Sequence, residues 1–232
     1  MNYYSLNKKS SNVTFKEALI KGLAPDKGLY FPEKINKLSE SFIANINNYS
    51  NEEIAYECIH QFIGSEIPES DLRKIITDVL SFDFPLTKLN DQISFLELFH
   101  GPTMAFKDVG ARFMARCLAY FLKNQDEKKS VTVLVATSGD TGGAVASGFY
   151  KVKGIKVVIL YPKGKVSNVQ EKQLTTLGEN ITALEVDGTF DDCQAMVKKA
   201  FLDEDLLNNI NLTSANSINI ARWLPQMFYF FF

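Results

Sequence analysis

Val131-Thr132-Val133-Leu134-Val135-Ala136-Thr137-Ser138-Gly139-Asp140-Thr141-Gly142-Gly143 is the stretch on which the fold turns. Its first six residues read as a near-continuous apolar run. A run without polar alternation is the pattern of a parallel strand buried on both faces. The glycine-rich turn that follows runs into an Ala/Gly-rich segment, predicted as a helix from 140 to about 151 and slender enough to lie close against a sheet. Downstream the unit repeats: a strand over 156–160, a helix over 167–177 ending at Gly178, and a strand over 181–186. A further helix opens at Thr189, with Asp191 and Asp192 in its first turn, where they complement the helix dipole. Residues 218 onward read as a last helix. Upstream, 93–99 alternates like a strand and 106 to about 123 reads as a long helix. Alternating strands and helices predict an α/β domain over residues 89–232, its sheet mostly parallel and flanked by helices.

The first 88 residues read differently, as a small helical domain. Thr14-Phe15-Lys16-Glu17 and Ser50-Asn51-Glu52-Glu53 are capping boxes, each ahead of an apolar run. Gly22 and Gly64 stand where those two helices end. Residues 24–28 read as a turn, 29–32 as a short extended piece, and 70–79 as a third helix.

Composition narrows the function classes. With 46% hydrophobic and 22% charged residues, the 232-residue chain is globular rather than disordered. A net charge of −2 without a Lys/Arg block argues against a nucleic-acid partner, and Lys128-Lys129 and Lys163-Gly164-Lys165 read as solvated loop charges. No apolar run is long enough to span a membrane, and the start lacks the pattern of a signal peptide. Cys58, Cys117 and Cys193 are odd in number and far apart, which argues against disulfides or zinc and for buried thiols in a reducing compartment. The expected location is the cytoplasm.

Three polar clusters carry chemistry. Thr137 to Gly143 joins a buried strand to a helix start, where free backbone N–H groups favour a carboxylate or phosphate. It lacks the Gly-Lys-Ser/Thr ending of a P-loop and the glycine spacing of a dinucleotide fingerprint. A tight turn using Gly for geometry accounts for the same residues. His100-Gly101-Pro102-Thr103-Met104-Ala105-Phe106-Lys107-Asp108 places Lys107 in the first turn of a helix. The dipole there disfavours an ammonium, which suits a nucleophilic lysine; an exposed lysine on a helix end fits the position equally. The third cluster is Thr213-Ser214-Ala215-Asn216-Ser217-Ile218-Asn219-Ile220-Ala221-Arg222. Asn216 and Ser217 are the expected caps of the last helix, and two amides, a hydroxyl and an arginine suit a phosphate. His100 is open to a proton-shuttle or a conformational role, and His60 reads as structural. A helix-opening lysine beside an anion-binding loop is the equipment of an enzyme with a covalently held aldehyde cofactor.

The three clusters in this order resemble threonine synthase, a fold-type-II pyridoxal-phosphate family. His-Gly-Pro-Thr-x-Ala-Phe-Lys-Asp resembles its cofactor-lysine segment, Ser-Gly-Asp-Thr-Gly its substrate loop, and Asn-Ser-Ile-Asn-x-Ala-Arg its later polar helix start. Gly22 to Tyr30 resembles the signature of the family's N-terminal domain. Lys27, Met104 and Val109 depart from the family pattern, Lys27 standing where Gly is usual. The resemblance implies that Lys107 is catalytic and carries pyridoxal 5'-phosphate, with Asp140 also at the cofactor. It implies that Ser138, Gly139, Asp140, Thr141 and Gly142, with Asn216, Ser217 and Arg222, bind the substrate O-phosphohomoserine, which with water gives threonine and phosphate. It also implies that 108–222 is the smaller, mobile lobe. The family's Gly- and Asn-rich cofactor-phosphate loop is not found in the 232 residues. The expectation is therefore a chain that ends inside the fold, lacks its C-terminal part and is inactive by itself. A non-catalytic anion-binding remnant and another type-II enzyme, such as a threonine dehydratase, are the alternative readings.

Overall fold

The computed structural model describes residues 1–123 and 130–232; the Lys128-Lys129 pair lies outside them. The chain runs β1 (Tyr3–Ser5), α1 (Phe15–Lys21), β2 (Tyr30–Pro32), α2 (Glu40–Ala44), α3 (Asn51–Ile63), α4 (Glu69–Val79), β3 (Leu86–Lys88) and β4 (Ser94–Leu96). It continues as α5 (Lys107–Lys123), β5 (Val131–Ala136), α6 (Asp140–Phe149), β6 (Ile155–Pro162), α7 (Asn168–Thr175) and β7 (Ile181–Val186). It finishes with α8 (Phe190–Ala200), α9 (Glu204–Asn209), β8 (Asn211–Thr213) and α10 (Ile220–Trp223), followed by a 3-10 stretch over Leu224–Phe230.

Both expected capping boxes form, Thr14 with Glu17 and Ser50 with Glu53. Ser167 with Gln170 and Thr189 with Asp192 make two more at the starts of α7 and α8. Each box satisfies two backbone groups that a helix start leaves open.

The main sheet is parallel, in the order β7-β6-β5-β8. The chain steps outward from β5 to β6 to β7, then returns to the other side of β5 as β8. This reversal makes the carboxyl ends of β5 and β8 the switch point of the sheet, where open α/β folds leave a crevice for ligands. The glycine turn at 137–139 leaves β5 at that point. The side chains of β5 part alternately, as strand geometry requires. Val131, Val133 and Val135 join the main core, while Leu134 and Ala136 join a smaller cluster with Cys193 and Val197 of α8. The main core is continuous from Phe15 and Ile59 through Phe113 of α5 to Val133 and Phe228.

The extended piece expected at 29–32 forms β2 within the small helical domain and pairs antiparallel with β1. Other expectations need correction. The 93–99 segment does not enter the parallel sheet; only Ser94–Leu96 is strand, and it pairs antiparallel with β3 as a separate ribbon. The Asn90 carboxamide accepts the Gln92 and Ile93 amides at 2.9 and 3.0 Å, so the chain folds back on itself there. α9 and β8 were not foreseen. The last helix starts later than 218, capped by Asn219 rather than by Asn216 or Ser217, and its α-helical part is only four residues long. Pro225 supplies no amide to continue it, and the chain tightens into the 3-10 stretch.

Candidate active site

Lys107 is the first residue of α5, and Asp140 is the first of α6. Their side chains meet: Lys107 Nζ lies 3.5 Å from Asp140 Oδ2, with the lysine side chain 24% exposed. Both line a mainly polar cavity of about 230 Å³ with Thr137, Ser138, Gly139 and Thr141. The structure thus brings the lysine segment and the glycine loop, some thirty residues apart in sequence, to one pocket at the carboxyl end of β5.

Thr137 organises the loop from inside. It is 1% exposed, and its hydroxyl oxygen accepts the Gly139 and Gly142 amides at 3.1 and 2.8 Å. Gly139, the N-cap of α6, offers no side chain to the helix start. Thr137 thus caps the third amide of α6, and the amides of Asp140 and Thr141 remain at the helix N-terminus beside the pocket, positioned for an anion. The glycines have a second reason. A Cβ on Gly139 would come within 2.7 Å of Gln170 Nε2, and one on Gly143 within 2.7 Å of Gln173 Oε1. Side chains of α7 thus lie over the outer side of these glycines, while Gly139 also lines the cavity.

The lysine segment is held from below. Asp108, 1% exposed, accepts the Thr103 amide and hydroxyl. His100 bonds Glu97 at 2.7 Å and stacks on Phe99; it does not line the Lys107 pocket. His60 stacks on Tyr56 within α3, as its structural reading expects.

The third cluster is not brought to this pocket. Asn216 is half-buried, Ser217 is exposed, and neither lines the cavity. Arg222 is fully buried. Its Nη1 donates to the Ala215 carbonyl, and its Nε has no partner among the described residues. Burial lowers its pKa to about 10, a shift partly offset by the negative charge of Asp108. α10 lies against α5, and its arginine is buried there and does not line the Lys107 cavity. Gly110 permits this packing: a Cβ there would strike the backbone carbonyl of Arg222.

Sequence reasoning missed three pocket residues, Ala136, Gln170 and Phe190, the first read only as the end of a buried strand. Gln170 was legible only as the N3 residue of a capping box. Phe190 follows the cap Thr189 and carried no signal of its own.

A larger cavity of about 310 Å³ lies between α3 and the 3-10 stretch, lined by Leu38, Cys58, Phe62, Met227 and Phe231 among others. Burial pushes the Cys58 thiol up to about 12, so it offers no nucleophile. The smaller, polar cavity is the one with chemistry.

The donor set there fits an aldehyde-bearing anion: one primary amine, a carboxylate facing it, and the first two amides of a helix. The model for pyridoxal-phosphate dependent enzymes matches residues 77–224.

The chain belongs to the pyridoxal-phosphate-dependent enzyme family.

The model for the threonine synthase N terminus matches residues 2–80. The threonine synthase of Buchnera aphidicola subsp. Baizongia pistaciae is 46% identical over 232 residues, which is all of this chain and 54% of the relative. That of Escherichia coli K12 is 44% identical over 231 residues, covering 53% of its length. The crystal structure of the Escherichia coli threonine synthase superposes with a TM-score of 0.91 at 44% identity, over 100% of this chain and 53% of that one. A pyridoxal-phosphate-bound threonine synthase from Brucella melitensis superposes with a TM-score of 0.92 at 38% identity, over 100% and 51%. The chain spans about half the length of these relatives, and its architecture is that of the N-terminal portion of the fold-type-II enzymes. Among the described residues, no helix is long and apolar enough to cross a membrane, and no cluster of metal-ligating residues forms.

Proposed function

We propose that this chain carries the reactive half of a threonine synthase, which converts O-phospho-L-homoserine and water to L-threonine and phosphate in the cytoplasm. The observation that supports the reading best is the meeting of Lys107 and Asp140 beside the start of α6. The similarity to threonine synthases over the whole chain supports the same reading.

Lys107 would hold the cofactor covalently through its amine, with Asp140 facing that amine. Pyridoxal phosphate, when bound, supplies an electron sink for a carbanion at the substrate α-carbon. The Asp140 and Thr141 amides would hold the substrate carboxylate, with Ser138, Gly139 and Gly142 shaping the same loop. The Asp140 side chain takes no part in that contact, since a carboxylate repels another. Lys107, once released, would move protons at the substrate Cα and Cβ. Phosphate leaves from Cγ and water adds at Cβ. Asn216, Ser217 and Arg222 would reach the substrate phosphate only after a rearrangement that turns Arg222 out of the interior.

The test uses this chain and a chimera in which the C-terminal half of the Escherichia coli relative follows it. Each is incubated with pyridoxal phosphate, reduced with borohydride, and mapped by mass spectrometry. The expected label falls on the Lys107 peptide and is lost in Lys107→Ala. The chimera is expected to release phosphate from O-phosphohomoserine and to leave threonine unconsumed. Consumption of threonine would favour a dehydratase. A wild-type chimera with no label at Lys107 would overturn the reading.

A further inference from the structure

α7 reaches both halves of the site with two side chains one turn apart. Gln173 Nε2 donates to the Thr103 carbonyl of the lysine segment at 3.4 Å. Gln170 Nε2 donates to Asp140 Oδ1 at 2.8 Å, while the other carboxylate oxygen of Asp140 faces Lys107 Nζ at 3.5 Å. A line of contacts therefore runs from α7 through one carboxylate to the lysine amine.

The Gln170 amide is fixed from both ends. Its Oε1 accepts the Ser167 amide at 3.2 Å and the Ser167 hydroxyl at 3.1 Å, the returning arm of the capping box. Its NH2 is left facing Asp140. A capping box takes Glu or Gln at this position, so the cap does not account for an amide. Asp140 does: a glutamate there would remove the donor and set a second carboxylate against the first. Gly139 leaves the room the contact needs, since a Cβ would crowd Gln170 Nε2.

We propose that Gln170 is a positioning residue for the reactive lysine: its amide holds the Asp140 carboxylate against Lys107, so that α7 sets where the amine stands in the pocket. This rests on the reading of Lys107 as the reactive amine. Gln170 touches neither the amine nor the reacting atoms in this role; it acts through Asp140.

Gln170→Glu separates positioning from stability, because it keeps the capping box and inverts the contact with Asp140. The full chain is compared as wild type, Gln170→Glu and Lys172→Ala, the last an exposed change on the same helix. One arm measures the rate at which pyridoxal phosphate with borohydride labels Lys107. The other uses no cofactor and measures acetylation of Lys107 by acetic anhydride relative to the remaining lysines. Thermal unfolding is followed for each variant. A second negative charge beside Asp140 binds the ammonium more tightly, and Lys107 modification in Gln170→Glu is expected to slow about tenfold in both arms. Its melting temperature and the Lys172→Ala rates should stay at the wild-type level. Wild-type rates in both arms for Gln170→Glu would overturn the proposal. Slowed acetylation in Gln170→Glu, with no labelling of wild-type Lys107 by pyridoxal phosphate, would uphold the positioning role and overturn the cofactor reading instead.

Discussion

Asp108 binds Thr103 twice: Oδ2 accepts the Thr103 amide at 2.9 Å and Oδ1 its hydroxyl at 2.6 Å, in a pair almost wholly buried. The two bonds close a ring across the turn that precedes α5, and Lys107 sits inside that ring, one residue before the carboxylate. The position of the lysine is thus set by the residue that follows it, which in turn faces the field of buried Arg222.

Asp108→Ala removes both acceptors from a dry site. An orphaned amide and hydroxyl each cost about 1 to 3 kcal/mol, and Arg222 loses the negative charge near it. The expected loss is about 3 kcal/mol or more in urea unfolding, with Asp108→Asn milder because its carbonyl retains one acceptor. A change below about 0.5 kcal/mol for Asp108→Ala, the range of ordinary surface substitutions, would show that the ring does not hold the segment.

Lys27 stands where the resemblance leads one to expect glycine, and the structure gives a lysine there a physical cost. Its backbone lies at φ +66°, and its amide donates to Ala24 at 2.8 Å to close the turn. A side chain in that region costs about 1 to 2 kcal/mol. Glycine returns part of the gain through its greater freedom in the unfolded chain, about 0.5 to 1 kcal/mol. Lys27→Gly is therefore expected to stabilise by about 0.5 to 1 kcal/mol in chemical denaturation, with no change in labelling of Lys107.

Alkaline pH should unfold the protein through its thiols. Burial raises Cys58 to about 12, and raises Cys117 as well. In the unfolded chain a thiol ionises near 8.5. The folded state therefore binds more protons above that pH, and stability, complete below it, falls as pH rises toward the folded values. Each thiol contributes a slope of about 1.4 kcal/mol per pH unit in that window. Denaturation between pH 8 and 11 should show the fall, and Cys117→Ala, whatever its cavity cost, should flatten it. An unchanged slope in that variant would assign the pH dependence to other groups.

Much of the fold was legible because its signals are local. The β5 run, the capping boxes at Thr14 and Ser50, and the glycine turn each depend on residues within one turn or one strand, and each forms where expected. The 93–99 segment was misplaced because alternation identifies a strand but not its partner, and the Asn90 turn gave it β3 instead of the sheet. β8 is three residues long and pairs only with β5 among the described residues, too short for any periodicity to mark it.

By itself, the sequence determined the lysine, the glycine loop and the βα order, since covalent spacing and backbone propensity suffice for each. Only the tertiary structure decided what those residues face. It turned Asp140 toward Lys107, set two glutamines of α7 beside the loop glycines, and buried Arg222 against Gly110 instead of opening it to the pocket. Those outcomes depend on how helices distant in sequence pack around the sheet and which side chains they meet there, and no local pattern encodes that.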